Sequence, residues 1–264
     1  MTPRFRRVLL SNDDGIDGLG LAVLEAVAAE IADEVWVVAP DCDRSGAACS
    51  VSVHEPIRIR QLGPARYEVR GTPADSVLVA LRHLMPEPPD LVLSGINCGG
   101  NLGDDVIFSG TLGAALVGSM HGIPAVALSQ TYRAPDAIQW DTARTWTPAV
   151  LRALFPAGPT ASECYSVNFP DVAPHEVRGM AAARQSAATI DVAVEKRRDA
   201  RARDYFWLAL NRGSGTRLPG SDAEALRKRR IAITPIDRDH TLDARLAALA
   251  DRLASADRTN GREE

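Results

Sequence analysis

The chain has 264 residues, 45% of them apolar and 24% charged, with a formal net charge of −4. These proportions are those of a folded globular protein, and they argue against wholesale disorder. The length allows one large domain or a main domain with a smaller addition. No overall basic field is present to hold a nucleic acid duplex, so small-molecule chemistry is the first expectation.

The opening stretch, MTPRFRRVLLSNDDG, is basic, but its apolar run is only a few residues long. It therefore reads as neither a signal peptide nor a membrane anchor, and a cytoplasmic protein without membrane contact is expected. Cys42, Cys49, Cys98 and Cys164 form no CxxC pair, and in a reducing compartment they are expected to be free thiols.

Taken in chain order, Arg7–Ser11 (RVLLS) predicts a first strand, Leu21–Ala32 an amphipathic helix and Glu34–Ala39 (EVWVVA) a second strand. The near-continuous hydrophobicity of these strands suits a sheet covered on both faces. A loop, PDCDRSGAACS, leads into HEPIRIRQL and RYEVRG, whose alternating polarity predicts an antiparallel excursion. Thr72 then stands as an N-cap before Pro73, a sound helix start for TPADSVLVALRHLM. Pro89–Gly95 is another buried strand, followed by a Gly- and Asn-rich loop from Ile96 to Ser109, a helix of small residues and the strand PAVALS. Alternating strands and helices predict a Rossmann-like, doubly wound α/β fold with a mostly parallel sheet.

DTARTWTPAVLRALF and ECYSVNFP add one more helix and strand. From Val177 onward VRGMAAARQ, IDVAVEKR and DYFWLALNR read as extended segments without intervening helices. A core over residues 1–175 and a smaller β-rich extension over residues 176–264 are therefore expected. A last helix is predicted over Leu242–Leu253, and the polar tail SADRTNGREE is expected to fray.

The chemistry is concentrated after the strands. Asp13 and Asp14 follow strand one directly, at the sheet edge where α/β proteins bind ligands. Two carboxylates about 4 Å apart repel by roughly 4 kcal/mol at an effective dielectric near 20, so the pair needs an offset. A hard divalent cation is the simplest one. The alternative is a helix cap at Asp13 with Asp14 solvated in the turn at Gly15.

The loop after strand two offers Ser45 as an oxygen ligand and Arg44 as a phosphate partner, or else is an ordinary turn. SGINCGGNLGDD offers the neutral oxygens of Asn97 and Asn101, and its second acidic pair, Asp104 and Asp105, reads as structural. Ser109, Gly110 and Thr111 open the small-residue helix, where backbone N–H groups and the helix dipole favour an anion. Ordinary N-capping is the competing account. A cation facing a phosphate cradle predicts hydrolysis of a phosphate monoester.

Dinucleotide binding is the rival fold reading, but Gly15, Gly18 and Gly20 run G-x-x-G-x-G rather than G-x-G-x-x-G. An aspartyl-phosphate phosphatase would carry D-x-D rather than adjacent aspartates. The five histidines show no H-x-x-x-H spacing, which disfavours zinc, and His121 reads as a helix C-terminal residue.

LLSNDDGIDGLG, VVAPDCDRSGAA, GTPADSV, PDLVLSGINCGGNLGDDVIFSGTLGAA and GIPAVALS, in this order, resemble the survival protein E (SurE) family of 5′/3′-nucleotidases. The resemblance implies a divalent-metal-dependent phosphoric monoester hydrolase acting on nucleoside monophosphates. It implies one Mg²⁺ or Mn²⁺ per subunit, held by Asp13, Asp14, Ser45 and Asn97, with Asn101 and Ser109 to Thr111 lining the phosphate pocket. Asp13 and Asp14 are the catalytic carboxylates expected. It also implies a homodimer or homotetramer built through an extended hairpin. The family often has APG where this chain has Gly18–Gly20, arginine at Cys42 and cysteine at Ser76. A non-catalytic nucleotide sensor using the same pocket is the alternative function.

Overall fold

The structure, a computed structural model, describes residues 4–134, 137–158, 163–187, 190–212 and 218–260. Nine strands form one sheet and two more form a separate hairpin. In chain order the first five are β1 (Phe5–Ser11), β2 (Ala32–Pro40), β3 (Arg58–Gly63), β4 (Arg66–Arg70) and β5 (Leu91–Cys98). They are followed by β6 (Ala125–Gln130), β7 (Cys164–Phe169), β8 (Met180–Ala182), β9 (Ile190–Arg198), β10 (Asp204–Arg212) and β11 (Ile231–Pro235). The sheet order is β3-β4-β2-β1-β5-β6-β7-β11-β8.

β1 pairs in parallel with β2 on one side and β5 on the other, and β6 and β7 continue the parallel run. The chain therefore winds outward in one direction after β1 and in the other from β5. Their junction is the topological switch point, and the crevice beyond its strand ends is where such sheets take ligands.

Alternation along β1 explains the two-sided core. Val8 and Leu10 pack with α1 (Leu19–Ile31) and with the later helix spanning Trp140–Leu154, whereas Leu9 joins a second cluster on the other face. That second cluster is closed by α2 (Pro73–Val79) and by the small-residue helix Gly110–Met120. Each fully buried aliphatic side chain in these layers contributes about 1.5–3 kcal/mol. Helices on both faces of a mostly parallel sheet are the doubly wound arrangement expected from the sequence.

The start of α2 is capped as the sequence predicts. Thr72 Oγ1 accepts the Asp75 N–H at 3.0 Å, and Asp75 Oδ2 accepts the Thr72 N–H at 2.9 Å. Beyond Leu102 a short helix, α3 (Asp105–Phe108), occupies part of what reads as loop. The three helices that follow it are α4 (Gly110–Met120), α5 (Trp140–Leu154) and, in the last part of the chain, α6 (Asp222–Arg227).

After Val177 the chain does two different things. β8 and β11 hydrogen-bond within the main sheet, β11 antiparallel to β7 and parallel to β8. Among the described residues β9 and β10 pair only with each other. The last helix, α7 (Asp243–Asn260), runs past Leu253, so Ser255–Asn260 are helical rather than frayed. Neither glycine nor proline interrupts this stretch, and Ala254 and Ala256 are strong helix formers. Gly261 to Glu264, the rest of that tail, lie outside the described residues. Among the described residues no helix is long and apolar enough to cross a membrane.

Candidate functional site

The turn after β1 is set by its own short-range chemistry. Gly15 has φ +96°, a left-handed conformation open to glycine without strain. Asn12 Nδ2 donates to the Gly15 carbonyl at 2.8 Å and closes the turn. α1 starts at Leu19 behind Gly18, with no side-chain cap. Asp13 and Asp14 are thus not helix caps, and their carboxylates are held by other elements.

Asp13 is buried, 4% exposed. Its Oδ1 accepts the Thr111 hydroxyl at 2.6 Å, and the Thr111 N–H also bonds to the carboxylate. Asp14 Oδ2 accepts the Cys98 N–H at 3.0 Å. No lysine or arginine forms an ion pair with either aspartate among the described residues. Burial pushes the Asp13 carboxyl up from its ordinary range, against the pull of its hydrogen bonds. Burial likewise pushes Asp14 up to about 6, with the Cys98 N–H pulling down and the charge of Asp13 pushing up. A buried and a half-buried carboxylate, hydrogen-bonded to neutral partners, are a centre still short of positive charge.

The remaining sequence-predicted residues come from three further loops. Asn97 lies at the end of β5, where its Nδ2 donates to the Gly99 carbonyl at 2.9 Å, which fixes the amide orientation. Ser45 is exposed, and its hydroxyl and N–H both donate to Asp43 Oδ1 at 2.7 Å. The loop carrying it is anchored to the centre by the Arg44 N–H, which donates to the Asp13 carbonyl at 2.8 Å. The Arg44 guanidinium itself pairs with Asp41 at 2.9 Å.

Asn101, Ser109, Gly110 and Thr111 meet on the other side of Asp13. Asn101 Nδ2 donates to Ser129 Oγ at 2.8 Å and approaches Thr111 Oγ1 at 3.4 Å. Ser109 caps α4, its Oγ accepting the Leu112 N–H at 3.1 Å. Gly110 stands against the aspartate: a Cβ there would come within 2.9 Å of Asp13 Cβ and 3.0 Å of Oδ2. The first-turn N–H of Gly110 is an orphan donor of the helix beside this carboxylate.

Three positions escape a reading of the sequence. Asn168 on β7 accepts the Asn101 N–H at 2.8 Å and donates to the Asn101 carbonyl at 3.1 Å, clamping that loop from two strands away. Ser129 at the end of β6 holds the Asn101 side chain. Asp43 orients Ser45. A buried asparagine between Val167 and Phe169 was the available signal, since polar groups inside apolar strands need partners. His121 caps the end of α4 through a 2.9 Å contact of Nδ1 with the Val117 carbonyl. Asp105 accepts the Leu102 N–H at 3.3 Å, as a structural residue does.

Among the described residues no three His, Cys, Asp or Glu side chains form a metal-holding cluster. Any cation here would complete its shell with neutral oxygens and water, as Mg²⁺ and Mn²⁺ do. The donor set of Asp13, Asp14, Ser45 and Asn97 is all hard oxygen, which fits such an ion.

A family model described as Survival protein SurE matches residues 8–191. The protein named 5′-nucleotidase SurE 1 from Burkholderia lata is 46% identical over 253 residues, spanning 95% of this chain and 98% of that one. The 5′-nucleotidase SurE of Allorhizobium ampelinum is 46% identical over 237 residues, 89% and 93% of the two chains. The crystal structure of the SurE protein from Aquifex aeolicus aligns with a TM-score of 0.78 at 31% identity, covering 92% of this chain and 97% of that one. With the match spanning the whole parallel core and the loops that converge on Asp13, this chain belongs to the SurE family.

Proposed function

We propose that this chain is a divalent-metal-dependent phosphatase that hydrolyses 5′- and 3′-nucleoside monophosphates to nucleoside and phosphate. The observation that carries this reading is the Asp13–Asp14 pair at the switch point of the sheet, Asp13 buried against the start of α4 and Asp14 half-buried beside β5, with no basic ion-pair partner for either among the described residues. Relatives named 5′-nucleotidase support it across nearly the full length of the chain.

Asp13, Asp14, Ser45 and Asn97 would hold one Mg²⁺ or Mn²⁺ per subunit. When bound, such an ion polarises phosphoryl oxygens and lowers the pKa of water. Asn101, Ser109 and the Gly110 N–H orient the phosphoryl group for in-line attack, and their fixed dipoles need no rearrangement as charge develops. Thr111 also acts on Asp13, fixing its carboxylate through the hydroxyl and the backbone N–H. Asp14, less buried than Asp13 and with one oxygen bonded to the Cys98 N–H, is the carboxylate that accepts the proton of the attacking water.

The catalytic parts lie in residues 1–175, and residues 176–264 supply subunit contacts in a homodimer or homotetramer. Val194, Phe206, Trp207 and Leu208 on the β9–β10 hairpin are all more than half exposed, which a partner subunit would relieve. A cytoplasmic location accompanies this reading.

The test is phosphate release from 5′-AMP and 3′-AMP with Mn²⁺, with Mg²⁺ and with chelator, on wild type and Asp13→Asn. Metal-dependent release lost in the variant is expected. Tight nucleotide binding without release under any metal would favour the sensor instead.

A further inference from the structure

The loop from Asp41 to Ile57 and the adjoining ends of β3 and β4 enclose a cleft of about 360 Å³, lined by Arg44, Ser52, Glu55, Arg58, Arg70 and Thr72 among others. Its polar floor is fixed. Asp75 accepts the Ser52 N–H at 3.0 Å, and the Thr72 hydroxyl donates to the Ser50 carbonyl at 2.6 Å.

The arginines are arranged against the logic of a stable ladder. On one face of the β3–β4 pair Arg60 stands opposite Glu68, and the two form a salt bridge. One step along the same face Arg58 stands opposite Arg70. Like charges directly opposite each other destabilise a sheet. Both guanidiniums line the cleft, and among the described residues neither has an ion pair or hydrogen bond with a neighbour.

Arg44 supplies a third cationic group. Asp41 holds one end of it, while its Nε is buried without a partner. The lining itself holds three arginines and one carboxylate, Glu55, with Asp41 and the buried Asp75 behind it, so positive groups predominate at the surface of the cleft. None of the lining residues is aromatic, which leaves a nucleobase no platform for stacking. An anion with several acceptor oxygens fits better, because guanidinium groups bind phosphate through paired N–H bonds. Arg44 also ties the cleft to the aspartates, since its N–H donates to the Asp13 carbonyl and Ser45 follows it.

We propose that this cleft is an anion subsite that takes a second phosphate of the substrate, so that the chain favours nucleosides carrying two phosphates. The proposal rests on the phosphatase reading for the first phosphate.

The test compares adenosine 3′,5′-bisphosphate with 5′-AMP, in Mn²⁺, on wild type and the pairs Arg58→Ala/Arg70→Ala and Arg58→Lys/Arg70→Lys. Wild type is expected to show the lower KM for the bisphosphate. The alanine pair should raise the bisphosphate KM and its calorimetric Kd about tenfold or more, and leave kcat/KM for 5′-AMP within about twofold. Without ligand it should melt at or above wild type, because a repulsion has been removed. The lysine pair should lie between the two, and it carries the same comparison should the alanine pair fail to fold. An unchanged bisphosphate Kd in the variants overturns the proposal, and so does an equal loss on both nucleotides. Inorganic phosphate binding at the arginines with no wild-type preference for the bisphosphate overturns it as well. If wild type hydrolyses neither nucleotide, the phosphatase reading fails, and the Kd comparison alone then decides the subsite.

Discussion

The Thr111 hydroxyl donates to Asp13 Oδ1 at 2.6 Å, joining the first turn of α4 to the end of β1 across the switch point of the sheet. A residue at a helix N-terminus, expected to line the phosphate pocket, also holds a carboxylate. Replacing it tests whether that hold matters. Thr111→Val keeps the shape and removes the donor, and a hydrogen bond to a charged group is worth about 1.5–3 kcal/mol. Activity at subsaturating Mn²⁺ is expected to fall about tenfold to a hundredfold. Thr111→Ser should restore most of it, and a Mn²⁺ titration of both variants is the measurement.

Burial raises the folded-state carboxyl of Asp14 from 3.8 to about 6. Between these values the native metal-free protein binds more protons at this site than the unfolded chain does, so this contribution to stability falls as pH rises through that window. A cation favours the ionised form and reverses the penalty. The rise in Tm on adding Mn²⁺ should therefore be small at pH 5 and larger at pH 7.5. Thermal melts with Mn²⁺ and with chelator check the trend, and Asp14→Asn should flatten it.

Gly110 lies so close to Asp13 that any side chain must displace the carboxylate. Gly110→Ala is helix-compatible, so the fold should persist, with a helical gain of up to about 1 kcal/mol opposing the clash. Mn²⁺ affinity and phosphate release are expected to drop together while the circular dichroism spectrum is retained. A variant with wild-type metal affinity would show that Asp13 tolerates displacement.

Asn168 satisfies both backbone groups of Asn101 from β7. Asn168→Ala strands a buried N–H and a buried carbonyl, at a cost of about 1–3 kcal/mol each. Urea unfolding should show a lower midpoint with an unchanged m-value. Nucleotide KM should rise as well, because the loop bearing Asn101 loses its clamp.

Much of this molecule is legible in its residues alone. Continuous apolar runs such as Leu91–Leu93 and the capped start at Thr72–Pro73 determine strands and helices locally, because burial on two faces and helix capping leave direct marks in the sequence. Adjacent Asp13 and Asp14 after a buried strand also declare an electrostatic need by themselves. The hydrogen-bonding partners of that pair are not written there. Thr111, Cys98 and Arg44 meet the two aspartates only because the sheet order sets β1 beside β2 and β5 with α4 packed over them. The same holds for Asn168 on Asn101, for β11 entering the sheet beside β7, and for Arg58 standing opposite Arg70. Local chemistry follows from neighbours in the chain, whereas these contacts depend on strand order and register, which long-range burial decides for the molecule as a whole.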